Sequence, residues 1–185
     1  MCVYYLEQNF NKSIELIESS LSLGKKGKFS TFEEIEILIS LGVFYCEYIN
    51  YKKGVSILLN AIDNLNFLPF IKDDKVKIRL YYNISKAYHQ QKLFNESIKY
   101  ANKGIKNCIK LKTIYLLGHC YYQKGESLFY MEQTENAIKN MNEALWVFEK
   151  TEDKLLYHYV SSEINKIERL NHPKDFSDVI IPELR

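Results

Sequence analysis

The chain has 185 residues, 25 Lys and Arg against 23 Asp and Glu, a formal net charge of +2 and 46% hydrophobic residues. That length suits one domain or one repeat array with an ample core, and the balance of apolar and charged residues excludes a disordered chain. Near-neutral charge, with arginine only at Arg79, Arg169 and Arg185, argues against this chain gripping nucleic acid by itself, because phosphate contacts need clustered cations.

Taken in chain order, the opening MCVYYLEQNF has neither a basic leader nor a small-residue cleavage site, so no signal peptide is expected. No apolar run approaches the ~20 residues of a membrane span. Three prolines (Pro69, Pro173, Pro182) and seven glycines leave long unbroken stretches, which predicts helices. Thr31 before Glu33 and Glu34 reads as an N-cap with an acidic first turn, and Asp73 and Asp74 do the same job after Pro69. Over 33–48, Ile35, Leu38, Ile39, Leu41, Gly42 and Tyr45 keep the spacing of an amphipathic helix. Ile138, Met141, Leu145 and Phe148 keep it over 134–149, and Leu156, Tyr159, Val160, Ile164 and Ile167 over a closing helix at about 153–170. Residues 171–185 read as an extended tail. Cys2, Cys46, Cys108 and Cys120 form no CxxC pair, which fits reduced thiols in a cytoplasmic protein.

Four segments, 4–21, 38–62, 81–105 and 121–145, share one pattern of small and aromatic residues. It resembles the tetratricopeptide repeat, a pair of antiparallel helices whose small residues let the pair close tightly. The small residue of the first helix falls at Gly42, Ser85 and Gly125, and that opening the second at Ser13, Gly54, Ser97 and Ala137. A second small position follows at Ser20, Ala61, Gly104 and Ala144; Phe10, Tyr51 and Phe94 wedge the pair, with Thr134 departing. The second-helix residue recurs at intervals of 41, 43 and 40, longer than the ~34 of a standard repeat, so links are expected over 24–31, 66–74 and 110–112. The expected fold is all-α: a right-handed superhelix with repeats at about 1–23, 31–65, 74–109 and 113–150 and a capping helix. The first repeat has only half of its first helix, which predicts a fragment or a gene product shortened at its start.

Chemistry-bearing motifs are missing. His89, His119, His158 and His172 show no HxxxH or HExxH spacing, there is no P-loop or dinucleotide fingerprint, and Ser161 and Ser162 lack a GxSxG frame. A non-enzymatic protein with no metal or cofactor is expected. In such a superhelix the first helices line the concave surface. There the repeats place Glu36, Ile39, Val43, Cys46 and Glu47; then Arg79, Tyr82, Lys86, His89 and Gln90 with Asn83 beside them; then His119, Tyr122, Glu126, Phe129 and Tyr130 with Gln123 beside them. The amides of Asn83, Gln90 and Gln123 suit the paired N–H and C=O groups of an extended peptide, and Tyr82, Tyr122 and Phe129 its apolar side chains. The tyrosines serve equally well as packing between neighbouring first helices.

The long repeats, the segments YYNISKAYHQQKLFNESIKYANKGI and YLLGHCYYQKGESLFYMEQTENAIKNMNEALWVFEK, and the closing helix together resemble the C-terminal regulatory domain of Rgg/PlcR-type regulators, the group that also contains the Rap phosphatases. The resemblance implies a domain that binds a short signalling peptide in its groove, with asparagines on the peptide backbone. Asn83 matches that position, Gln123 keeps an amide in the next unit, and Ser40 departs from it. It also implies a homodimer through about 134–170, and DNA binding only through an N-terminal helix-turn-helix domain that is absent here. The leading expectation is therefore the sensor domain of a quorum-sensing transcription regulator, with peptide-binding residues Asn83, Gln123, Tyr82, Lys86, Arg79, Gln90, Tyr122, Glu126, Phe129 and His119. A generic tetratricopeptide scaffold for protein partners is the alternative. An enzyme subunit of the Rap kind ranks third, because the helical bundle that carries the Rap activity is missing.

Overall fold

Thr31 opens α1 (Phe32–Glu47) with a full capping box: the Glu34 amide donates to Thr31 Oγ1 at 3.3 Å and the Thr31 amide to the Glu34 carboxylate at 3.1 Å. The structure is a computed structural model that describes residues 31–48, 50–67 and 75–171, together with Lys12, Ile14, Glu15, Leu16 and Ser19. Six more helices follow: α2 (Tyr51–Asn66), α3 (Lys75–Gln90), α4 (Phe94–Leu111), α5 (Leu117–Phe129), α6 (Thr134–Lys150) and α7 (Lys154–Asn171). No strand occurs among the described residues. The caps expected at Asp73 and Asp74, the first repeat apart from those five residues, and the tail beyond Asn171 lie outside them.

The pairs α1/α2, α3/α4 and α5/α6 are the most closely packed, α3 also packs on α1 and α5, and α7 closes the stack on α6. This is the superhelix of helix pairs that the repeat pattern predicts. The small residues act as expected. A Cβ on Gly54 would stand 2.3 Å from Cys46 Sγ and 2.8 Å from the Gly42 carbonyl oxygen, so α1 and α2 meet backbone to backbone. In the next pair Ser85 and Ser97 are both fully buried, and Ser85 donates to the Ser97 carbonyl at 2.8 Å.

The turns within and between pairs use left-handed residues that are not glycine: Lys92 (φ 60°), Lys112 (φ 49°), Glu132 (φ 61°) and Glu152 (φ 56°). Each brings the next amide back onto the preceding helix, as in Leu93 N–H to the Tyr88 carbonyl at 2.9 Å and Gln133 N–H to that of Leu128 at 3.0 Å. The link expected over 110–112 falls instead at 112–116, because Lys110 and Leu111 are good helix formers and α4 runs on until Lys112 turns left-handed. Two apolar clusters result. One joins Ile35, Ile39, Leu58, Leu65, Val76, Leu80, Ile84 and Tyr100 across α1–α4; the other joins Met141, Ala144, Phe148, Val160, Ile164 and Ile167 of α6 and α7. No described helix is long and apolar enough to cross a membrane.

Candidate functional site: the wall formed by the first helices

The first helix of each pair touches the next through groove-side residues. Arg79 of α3 donates to both carboxylate oxygens of Glu36 on α1, and Lys86 lies 3.9 Å from Glu47. Tyr82 meets His119 of α5 edge to face at 5.4 Å, and the Tyr122 hydroxyl lies 3.2 Å from that of Tyr159 on α7. Four helices thus make one wall, and the ten predicted peptide-binding residues all stand on its middle two.

Their surroundings divide them. Asn83, Lys86 and Gln90 line a small open cleft with Val43, Cys46, Glu47, Tyr51 and Ala87. The half-buried Asn83 amide makes no hydrogen bond among the described residues, so its donors and its acceptor are available. Burial pushes the Cys46 thiol beside it up to about 11, against the opposing pull of Lys86, which keeps it protonated. Arg79 is committed to Glu36, and its Nε is buried with no hydrogen-bond partner. Tyr82 and His119 pack ring to ring, and His119 also meets Phe148 at 5.3 Å. Burial holds His119 below the ordinary histidine pKa, with Asp153 opposing. Phe129 packs against the second apolar cluster.

On α5, Gln123 is buried and its amide donates to Glu126 Oε2 at 3.1 Å, while the Tyr122 hydroxyl donates to Glu126 Oε1 at 3.2 Å. Burial pushes the Tyr122 phenol up, so it stays a donor. Two expected groove residues face elsewhere: Ile39, 4% exposed, belongs to the first cluster, and His89, 8% exposed, is enclosed between α3, α4 and α5. Its ring meets Phe94 and Tyr130, each at 5.4 Å. The wedge aromatic Phe94 and the neighbouring turn bury it.

Behind the wall lies a hydroxyl chain. Ser85 Oγ is 3.1 Å from Ser97 Oγ, which is 2.8 Å from Ser127 Oγ, which is 2.9 Å from His89 Nδ1; His89 Nε2 then faces Glu126 Oε2 at 3.4 Å. The rotor of Ser127 decides the tautomer. When Ser127 donates to Nδ1, a neutral ring turns Nε2–H toward Glu126. When the ring is charged, Nδ1–H donates to Ser127, whose hydroxyl swings to the Gln123 carbonyl 2.9 Å away. Burial favours the neutral ring and Glu126 opposes that preference. Ser, His and Glu in this order suggest a hydrolase triad, but Ser127 is fully buried and no substrate reaches it. Sequence reasoning missed Ser127 because its repeat equivalents are Ala87 and Phe44, which give no pattern. No group of three or more His, Cys, Asp or Glu placed to hold a metal occurs among the described residues.

The profile of the RNPP family C-terminal domain matches residues 1–169. The chain belongs to the RNPP family. The apo form of Bacillus thuringiensis PlcR shares the fold of this RNPP domain with a TM-score of 0.73 and 23% identity over 87% of this chain and 59% of PlcR. PlcR in complex with the peptide PapR7 and DNA gives 0.70 and 23% over 88% of this chain and 56% of PlcR. A signal transduction ATPase with a tetratricopeptide repeat sensor from Pyrococcus horikoshii gives 0.71 and 20% over 93% of this chain and 26% of that one. At these identities the likeness is one of fold. The RNPP domain spans less than three fifths of the PlcR chains it matches. No curated protein sequence matches it.

Proposed function

We propose that this RNPP domain is a non-enzymatic peptide sensor that holds a short signalling peptide, in extended form, along the wall of first helices. The observation that carries the reading is the free Asn83 amide in the cleft between α1, α2 and α3. A side-chain amide answers a peptide unit's N–H and C=O at once, and Tyr51 and Val43 offer apolar surface beside it. Family membership and the PlcR structures support the same reading, and with it a cytoplasmic role in quorum-sensing transcription control. DNA contact then belongs to a separate domain of the parent regulator. Exposed Trp146, Leu155 and Leu170 support a homodimer through α6 and α7. A scaffold that clamps a partner's terminal carboxylate needs free groove cations, and Arg79 is spent on Glu36.

Native mass spectrometry of the purified chain with a small-peptide extract of its host's culture medium tests the reading. One retained mass of several hundred daltons is the expected result; a folded chain that retains none overturns it. Asn83→Ala is expected to weaken binding of that peptide by about 1–3 kcal/mol with the melting temperature unchanged, as calorimetry would show. Equal affinity removes Asn83 from the site.

A further inference from the structure

Charges on the wall are paired on one side and unpaired on the other. Glu36 holds Arg79 and Glu47 lies near Lys86, so the α1/α3 side is close to neutral. Glu126 of α5 has no Lys or Arg partner among the described residues. Its neighbours are the Tyr122 hydroxyl, the Gln123 amide and His89 Nε2, at 3.2, 3.1 and 3.4 Å. Tyr122 and Gln123 are uncharged, and burial favours the neutral ring of His89. These donors fix the carboxylate without cancelling its charge, and the Glu126 side chain keeps 28% of its surface in the groove.

We infer that Glu126 receives a cationic group of the bound peptide, either its N-terminal ammonium or a Lys or Arg side chain. The inference rests on the peptide-sensing reading and adds a charge requirement to it. Asn83 and Glu126 stand on neighbouring first helices, whose axes lie ~8–10 Å apart, a distance about three residues of extended peptide cover. The cationic group therefore stands about three residues from the peptide unit that Asn83 holds. His89 supplies the sign of a pH effect. Among the groups facing it (Phe94 from α4; Glu126 and Ser127 from α5; Tyr130 from the turn after α5) Glu126 alone is charged. Protonated His89 neutralises Glu126 and competes with the ligand.

A synthetic library of random short peptides, with free and with N-acetylated termini, is selected on the full chain and read by mass spectrometry. The retained peptides are expected to carry a free terminus or one Lys or Arg at a fixed position, and the two halves of the library separate these sources. Acetylating that terminus, or replacing that Lys or Arg by norleucine, is expected to weaken binding about tenfold, and Glu126→Gln to abolish the difference. Retained peptides without a cationic preference overturn this inference and leave the sensor reading standing. A folded chain that retains nothing overturns both. Should Glu126→Gln fail to fold, the acetylated and norleucine peptides on the unaltered protein decide alone.

Discussion

His89 and His119 are the residues whose burial has the most direct consequence in solution. Burial holds both below the ordinary value of 6.5, with Glu126 opposing at His89 and Asp153 at His119. Below that value the unfolded chain binds more protons than the folded one, so the stability these histidines contribute is complete above it and is lost as the pH falls through their folded pKa values. Melting temperatures are therefore expected to drop between about pH 7.5 and about pH 5.5, and His89→Gln to flatten the drop. A flat profile in the unaltered protein removes the assignment. Ser127 shows why the ring tolerates its enclosure: a rotating hydroxyl serves the neutral ring protonated at Nε2 and the charged ring alike, so in both states each ring nitrogen has a partner.

At the scale of helices and turns, close approach and left-handed turns set the energies. Gly54→Ala forces a methyl group into Cys46 Sγ and the Gly42 carbonyl, and α2 must move away from α1. Urea unfolding is expected to show a loss of about 1–3 kcal/mol. Glu132→Gly works in the opposite direction: relieving a φ of 61° is expected to stabilise the chain by about 1 kcal/mol, seen as a higher melting temperature. The two changes also mark what the sequence made legible. Gly54, Ser97 and Ala137 could be read because close helix packing demands a small residue at a fixed interval. So could the Thr31 cap, a device contained in four residues. The turns at Lys92 and Glu132 were hidden because glycine is the usual signal and neither position has one. The His89–Ser127 contact joins residues 38 apart, and no local rule pairs them. Asn83 was legible as a groove amide, but that its amide is free while that of Gln123 is spent on Glu126 depends on packing.

On the scale of the whole molecule, the buried interior becomes partly polar between the two apolar clusters. The first cluster ends at Tyr100 of α4 and the second begins with α6 and the inner face of α5; between them the buried Ala101, Cys108 and Cys120 pack beside the polar chain of Ser85, Ser97, Ser127 and His89. Repeat arrays unfold cooperatively only while neighbouring units are coupled. Removing Ser127 strips a shared partner from both sides. In Ser127→Ala, urea transitions followed by the single Trp146 of α6 and by total helicity are expected to separate, whereas they coincide in the parent chain. Transitions that stay superimposed show that the hydroxyls do not couple the halves. The hydroxyl contacts differ mechanically from interlocked apolar packing. Methyl groups in a jigsaw resist sliding until they disengage, while hydroxyls exchange partners by rotating and yield gradually to shear. The hydroxyl chain falls between the helices that carry Asn83 and Glu126. On the peptide-sensing proposal, a peptide held by both residues would tie the two sides of these contacts together, and the curvature of the superhelix would read out whether the tie is in place.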